Sequence, residues 1–261
     1  IPNLLKVWRK SMKAAGTWED IDDEMLAFIE QRALDATMES IYRFSSFGDK
    51  DASIVGSGSG SEVLTAGVDA DYFNSINGLW KQVFTDQAGA AKIYRHTISE
   101  NGEATKALQL VLGADTTINA MRDLFDNISA EAFADGGLEF QMTRSMHTNY
   151  VAYLEDKSLA FTLQRAEEGK VSKWSYRGIP ITIRYDWDRN IRAYHDLGAT
   201  YYLPHRMILS RLTNIPIGTS DEQSMSELRS FYDFKDKKHY IDVAYKLDMK
   251  ILLESEIAVA Y

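Results

Sequence analysis

Two carboxylates two residues apart, in Asp186-Trp187-Asp188-Arg189-Asn190, come nearest to reactive chemistry in this chain. Side-chain oxygens near a strand end are what Mg²⁺ or Ca²⁺ takes as ligands, so a divalent-ion enzyme built on Asp186 and Asp188 is one reading. Both ions need more oxygens than these two supply. No Asp-x-Asp-x-Asp-Gly run follows, and further carboxylates would have to converge from elsewhere. The other reading, which the spacing favours, is a turn whose Asp side chains bond local backbone N–H groups. His96, His147, His195, His205 and His239 are scattered, and no His-x-x-x-His or His-Glu-x-x-His pair sets two rings on one helix face. They read as surface or packing residues.

Gly56-Ser57-Gly58 and Gly58-Ser59-Gly60 lie in a Ser-rich run without the strand-to-helix elbow that a Gly-x-Ser-x-Gly nucleophile requires. No Gly-x-x-x-x-Gly-Lys loop and no Gly-x-Gly-x-x-Gly between a strand and a helix occurs, so nucleotide binding has no residue basis. Lys235, Lys237 and Lys238 interleave with Phe234, Asp236, His239 and Tyr240. Such a run serves either base stacking along a single strand or a solvated ribbon face with inter-subunit salt bridges, and alternating charge favours the ribbon. The residues therefore predict no catalytic, cofactor-binding or metal-binding site and no cofactor.

The elements that would position these side chains follow from periodicity. Leu4, Leu5, Trp8 and Met12 have helical spacing closed by Gly16. Thr17 reads as an N-cap with Asp20 three residues on, opening a helix from 17 to 42 with Trp18, Ile21, Met25, Phe28, Ile29 and Arg32 along one side. Its length is ~40 Å at ~1.5 Å per residue. Gly56 to Ser61 is a flexible surface loop or an engineered linker. Helices are predicted over 70–84 and 103–112, and another after Asp115 carries Ile118, Met121, Leu124, Phe125 and Ile128. Leu138 to Met142 alternates as a strand, and Thr143 caps a helix through Leu154. Residues 161–166 and 171–176 flank Glu167-Glu-Gly-Lys as a hairpin. Arg177 to Tyr185 is a further strand, with Pro180 suited to its start or to an edge. Residues 186–204 read as a long irregular stretch rich in aromatics, and 206–250 as long ribbon-like strands before the apolar tail Ile257 to Tyr261. Helices first and long strands last argue an α+β class.

Composition bounds the rest. At 261 residues, with 45% hydrophobic and 26% charged, the chain can bury a real core. No apolar run reaches the roughly 18 residues of a membrane span. The absence of cysteine excludes disulfides, thiolate catalysis and Cys-ligated zinc. A net charge of −9 argues against a nucleic-acid reader, which needs a basic surface. The start, Ile1-Pro2-Asn3-Leu4-Leu5-Lys6, has neither an initiator Met nor a signal-peptide plan, so a fragment or processed form is expected.

From Ala107 onward the order of elements resembles the major capsid proteins of tailed bacteriophages, the fold also used by encapsulin shells. The resemblance is carried by the helix from Thr116, the strand Leu138 to Met142, the Thr-Arg-Ser-Met helix ending Tyr150-Val-Ala-Tyr-Leu, and Tyr176-Arg177-Gly178-Ile179-Pro180-Ile181. His205-Arg206-Met-Ile-Leu-Ser followed by Asn214-Ile-Pro-Ile-Gly, and Tyr240 to Lys250 with the apolar ending, complete it, and the helix 17–42 is similar to the family's spine helix. The resemblance implies a peripheral domain begun by residues 1–50, an axial domain at 51–205, a peripheral β-ribbon at 206–250, and a last strand at 251–261 returning to the core.

It also implies a non-enzymatic subunit that builds an icosahedral head around phage DNA, located in the virion and, during assembly, in the host cytoplasm. Its partners would be copies of itself in hexamers and pentamers, with scaffolding, portal or decoration proteins in addition. DNA would be enclosed without sequence-specific binding, and no membrane is involved. An encapsulin-like compartment shell is the alternative, distinguished by a cargo-peptide groove on its inner face. The family's N-terminal arm and long hairpin loop have little room before Thr17, so either they were removed or this protein staples its shell differently. The first reading makes the chain as given a truncated core expected to assemble poorly.

Overall fold

Strands buried on both faces mark the middle of the main sheet. The structure, a computed structural model, describes residues 23–54, 63–134, 136–157, 174–218, 227–233, 238–244 and 246–261. Its strands are β1 (Ser53–Ile54), β2 (Val63–Leu64), β3 (Tyr94–His96), β4 (Leu138–Met142), β5 (Ser175–Tyr176), β6 (Ile179–Ile183), β7 (Met207–Arg211), β8 (Ile217–Gly218), β9 (Glu227–Asp233), β10 (Lys238–Ala244), β11 (Asp248–Met249) and β12 (Ile257–Ala260). Its α-helices are α1 (Asp23–Phe47), α2 (Leu79–Ala88), α3 (Lys106–Gln109), α4 (Thr116–Asn127), α5 (Ala130–Ala134), α6 (Arg144–Asp156) and α7 (Tyr185–Tyr194).

Six strands pair in the order β3-β12-β7-β4-β6-β5. β7 is antiparallel to both β12 and β4, while β3 runs parallel to β12 and β6 parallel to β4. Because side chains alternate along a strand, this sheet feeds two cores. Leu138, Phe140 and Met142 of β4, with Met207 and Leu209 of β7, pack with Ile118, Met121 and Leu124 of α4 and Met146 and Tyr150 of α6. Ile208, Ile257 and Val259 turn the other way, towards Phe44 and Phe47 of α1, Leu79, Trp80 and Val83 of α2, and Trp187 and Ile191 of α7. Full burial of one such side chain stabilises by about 1.5–3 kcal/mol.

The chain divides into two compact units. One holds the described residues of α1 up to Glu39 together with β9 and β10; the other holds the described residues from Ser40 to Gly218 and from Lys246 to Tyr261, including the six-stranded sheet. In the first, β9 and β10 form an antiparallel ribbon whose register runs from Glu227↔Ala244 to Asp233↔Lys238.

Several expectations change. The long helix is described from Asp23 and extends to Phe47 rather than ending at Tyr42, because Phe44 and Phe47 continue its buried stripe; its expected start at 17–22 lies outside the described residues. The helix expected at 70–84 is a short 3₁₀ turn, Ala70–Tyr72, and a separate α2. Gly78 interrupts it at a close approach of backbones, where a Cβ would stand 2.4 Å from Phe44 O and 2.8 Å from Gly48 N. The helix expected at 103–112 shrinks to α3, after a 3₁₀ turn at Ser99–Gly102. The stretch 186–204 is not irregular throughout, since α7 occupies its first half with Trp187 and Ile191 buried one turn apart.

The segment expected to be ribbon at 206–250 is likewise divided. Met207–Arg211 lies between β4 and β12 in the six-stranded sheet, buried on both faces. β8 and β11 make a separate two-residue pairing, and the ribbon proper is β9 with β10. The hairpin expected at 161–176 falls almost wholly outside the described residues. Its described end, β5, pairs forward with β6 across Arg177-Gly178. Both turn residues have positive φ, 50° and 82°, the geometry of a two-residue hairpin turn in which glycine is favoured. Pro180 is the second residue of β6, before its pairing with β4 begins at Ile181.

Candidate functional site

Asp186 and Asp188 stand in the first turn of α7, where helix N–H dipoles favour negative charge. Residues two apart on a helix do not face each other, and the two carboxylates turn to different partners. Asp186 is gripped by Arg184, with Nε donating to Oδ1 at 2.9 Å and Nη2 to Oδ2 at 2.8 Å. The same guanidinium donates from Nη1 to Gln141 Oε1 at 2.6 Å. Asp188 Oδ2 accepts the backbone N–H of Arg144 at 2.8 Å, an amide at the start of α6 that has no intrahelical acceptor. Burial pushes the Asp188 carboxyl up from its ordinary value, against the Arg144 bond. Asp188 thus bonds a distant amide in place of the expected local one. Among the described residues, no group of three His, Cys, Asp or Glu is placed to hold a metal ion.

The pocket beside Asp188 contains an arrangement that sequence reasoning missed. His205 Nε2 lies 2.6 Å from Gln109 O and its Nδ1 lies 2.6 Å from Ser145 Oγ. A carbonyl only accepts, so Nε2 carries the proton and Nδ1 accepts from the Ser145 hydroxyl. Burial holds the His205 imidazole below its ordinary pKa, and neutral. A serine bonded to a neutral histidine is the relation of nucleophile to base. The crevice lined by Ser145, Asp188, Arg192 and Tyr201, however, encloses about 20 Å³, the volume of one water site. The pair ties the first turn of α6 to the segment entering β7. No local signal announces it, because Gln109, Ser145 and His205 are far apart in sequence.

On the other side of the sheet, Arg206 is fully buried. Its guanidinium carbon lies 4.8 Å from the Trp80 ring centroid, 5.2 Å from Phe47 and 5.6 Å from Phe84, a cation held over aromatic faces. Nε donates to Leu203 O at 2.9 Å and Nη2 to Tyr202 O at 3.2 Å. His195 packs between Phe47 and Phe73 at 5.3 and 5.7 Å. Burial first, and the Arg206 charge second, push its pKa down to about 3.

The remaining histidines are also held within the fold or lie elsewhere. His147 stacks edge-on against Trp174, and burial lowers its pKa. His96 Nδ1 and Tyr94 OH both meet Asp123 Oδ2 at 2.7 Å. Mainly through that bond, the Tyr94 hydroxyl is pushed up to about 12. His239 lies in β10, while Gly56 to Ser61, Lys235 and Lys237 lie outside the described residues. Among the described residues, the candidates are therefore not brought together into one centre.

No protein-family profile matches the chain, and no curated protein is significantly similar to it. Among solved structures it is similar to a chain of the satellite phage P4 procapsid that includes the size determination (Sid) protein. That likeness has a TM-score of 0.48 and 10% identity, over 97% of this chain and 71% of that one. It is also similar to a chain of Mycobacterium phage Che8, at a TM-score of 0.35 and 12% identity, over 74% of this chain and 67% of that one. No helix among the described residues is long and apolar enough to cross a membrane.

Proposed function

We propose that the chain is a structural subunit of a phage-type shell, similar to a tailed-phage major capsid protein, that assembles with copies of itself around packaged DNA. The observation that carries this reading is the ribbon. β9 and β10 pair over their full length, yet only with each other among the described residues, in a unit separate from the six-stranded sheet. A two-stranded antiparallel pair is marginal in water on its own. Its length makes sense where neighbouring subunits supply the missing contacts, and self-contact repeated by rotation closes rings.

The subunit is not an enzyme. Asp186 and Asp188 serve Arg184 and the start of α6, and the Ser145–His205 pair faces a space the size of one water. Its partners are its own copies in pentamers and hexamers, joined by scaffolding, portal or decoration proteins. Its place is the virion, after assembly in the host cytoplasm. With its net charge of −9, the wall does not hold DNA by phosphate neutralisation. Sedimentation velocity of the complete gene product tests the assignment. A fast boundary of closed particles is expected, and a single slow monomer boundary at every concentration would reject it.

A further inference from the structure

The hydroxyl of Ser145 stands between a buried base and solvent. Ser145 is half-buried at the second residue of α6, while His205 is fully buried. Gln109 O fixes the ring by accepting from Nε2 at 2.6 Å, so Nδ1, 2.6 Å from Ser145 Oγ, carries the lone pair that can take the hydroxyl proton. A serine, a neutral imidazole and an acceptor that orients the imidazole are the parts of an activated nucleophile. Donors for an oxyanion at Ser145 are present as well. Of the first amides of α6, Arg144 N serves Asp188 and His147 N serves Thr143 O. The N–H groups of Ser145 and Met146 have no partner among the described residues.

The crevice decides what such a serine can take. It encloses about 20 Å³, room for one water-sized group. A methyl group has that size and a longer chain does not. Arg192 lines the crevice and is exposed, and its charge and that of the exposed Arg144 act on Asp188, so two cations outweigh one carboxylate at the rim. The neighbouring carboxylate, Asp186, is taken up by Arg184. A small acyl group carried on a phosphate matches both features. We propose that Ser145 is a covalent modification site that takes the acetyl group of an acyl phosphate. Ser145 Oγ bonds to the acyl carbon while its proton passes to His205 Nδ1; the bond from that carbon to the phosphate oxygen breaks, and the phosphate leaves with the proton. The ester persists, because its methyl group fills the one water site of the crevice and displaces the water that His205 would activate for hydrolysis. One acetyl per chain is a mark without turnover, as suits a subunit that is not an enzyme. An ester cannot donate, so the buried Nδ1 of His205 loses its partner and the junction of α6 with the segment entering β7 weakens. This chemistry does not depend on shell assembly.

Incubating the complete gene product with acetyl phosphate and mapping its peptides by mass spectrometry tests the site. Hydroxylamine strips an acetyl ester and leaves an acetylated lysine intact, so the two products are told apart. The expected result is one hydroxylamine-labile acetyl, on Ser145, with a lowered melting temperature that hydroxylamine restores. Butyryl phosphate should leave Ser145 unmodified. Ser145→Ala should remove the ester, and His205→Gln, which retains a donor for Gln109 O, should slow its formation roughly a hundredfold; circular dichroism checks each fold. The assignment is overturned by a parent protein with no ester on Ser145, by esters spread over other serines at a similar rate, by butyryl transfer as fast as acetyl transfer, or by an undiminished rate in folded His205→Gln protein. The parent map and the butyryl comparison need no variant, so they decide the matter even where a substitution unfolds the chain.

Discussion

The unit built on the six-stranded sheet and the unit that holds the ribbon use extended chain in different ways. In the sheet, β7 has a strand on each side and a packed core on each face, so its backbone bonds and its side chains are satisfied within the chain. In the ribbon, each strand has one partner among the described residues. The first arrangement is stable by its own burial. A strand edge without a partner is a liability in a solitary protein and a means of assembly in a shell. Stability and assembly should therefore respond to different substitutions.

The largest effect belongs to the sheet. Phe140→Ala empties a fully buried position beneath α4 and should cost about 3–5 kcal/mol in denaturant unfolding. A loss below about 1 kcal/mol would mean that this core is not what holds the unit.

Acid comes next. A histidine whose pKa falls on folding leaves the unfolded chain binding more protons, so stability rises with pH. The His195 contribution, on the order of a few kcal/mol, should be complete above pH 6.5 and disappear as the pH falls towards about 3. Glu100 adds a second loss, from pH 4.5 down to about 2. His195→Gln should reduce the slope below pH 6.5, leaving the part due to His147 and His205, whose pKa values burial also lowers, and should leave the Glu100 loss near its lower end. An unchanged slope would remove His195 from the account.

The ribbon should behave in the opposite way. Adjacent residues of a strand point their N–H groups to opposite sides, so the double change Ile241→Pro with Asp242→Pro deletes at least one bond of the β9–β10 ladder. The sheet unit should keep its unfolding midpoint within about 0.5 kcal/mol while particle yield collapses. Global unfolding would erase the distinction between the units.

The smallest effect is expected at the carboxylates. Asp188→Asn keeps an acceptor for the Arg144 amide and should cost less than ~1 kcal/mol. Millimolar Mg²⁺ or Ca²⁺ should leave the melting temperature of the parent protein where it is. A rise with either ion would revive the metal reading.

Sequence pattern carried the regular parts of the fold and little of the site. Ile118, Met121 and Leu124 gave α4 because one face of that helix is buried, and Leu138, Phe140 and Met142 gave β4 because one side of that strand is. The start of α6 after Thr143 and the apolar β12 were legible for the same local reason. The α7 stripe of Trp187 and Ile191 was present too, but two carboxylates beside it suggested a turn. The break at Gly78 depends on the backbone of residues 44–48, some thirty positions earlier. The clamp of Gln109 on Tyr201, the Ser145–His205 bond and the aromatic surround of Arg206 join residues brought together only by the sheet, so no spacing in the sequence encodes them.

Electron microscopy of the complete gene product at near-neutral pH tests the assembly claim most directly. The account predicts closed, hollow, icosahedral particles. A field of dispersed single subunits under the same conditions, with the fold intact by circular dichroism, would contradict it.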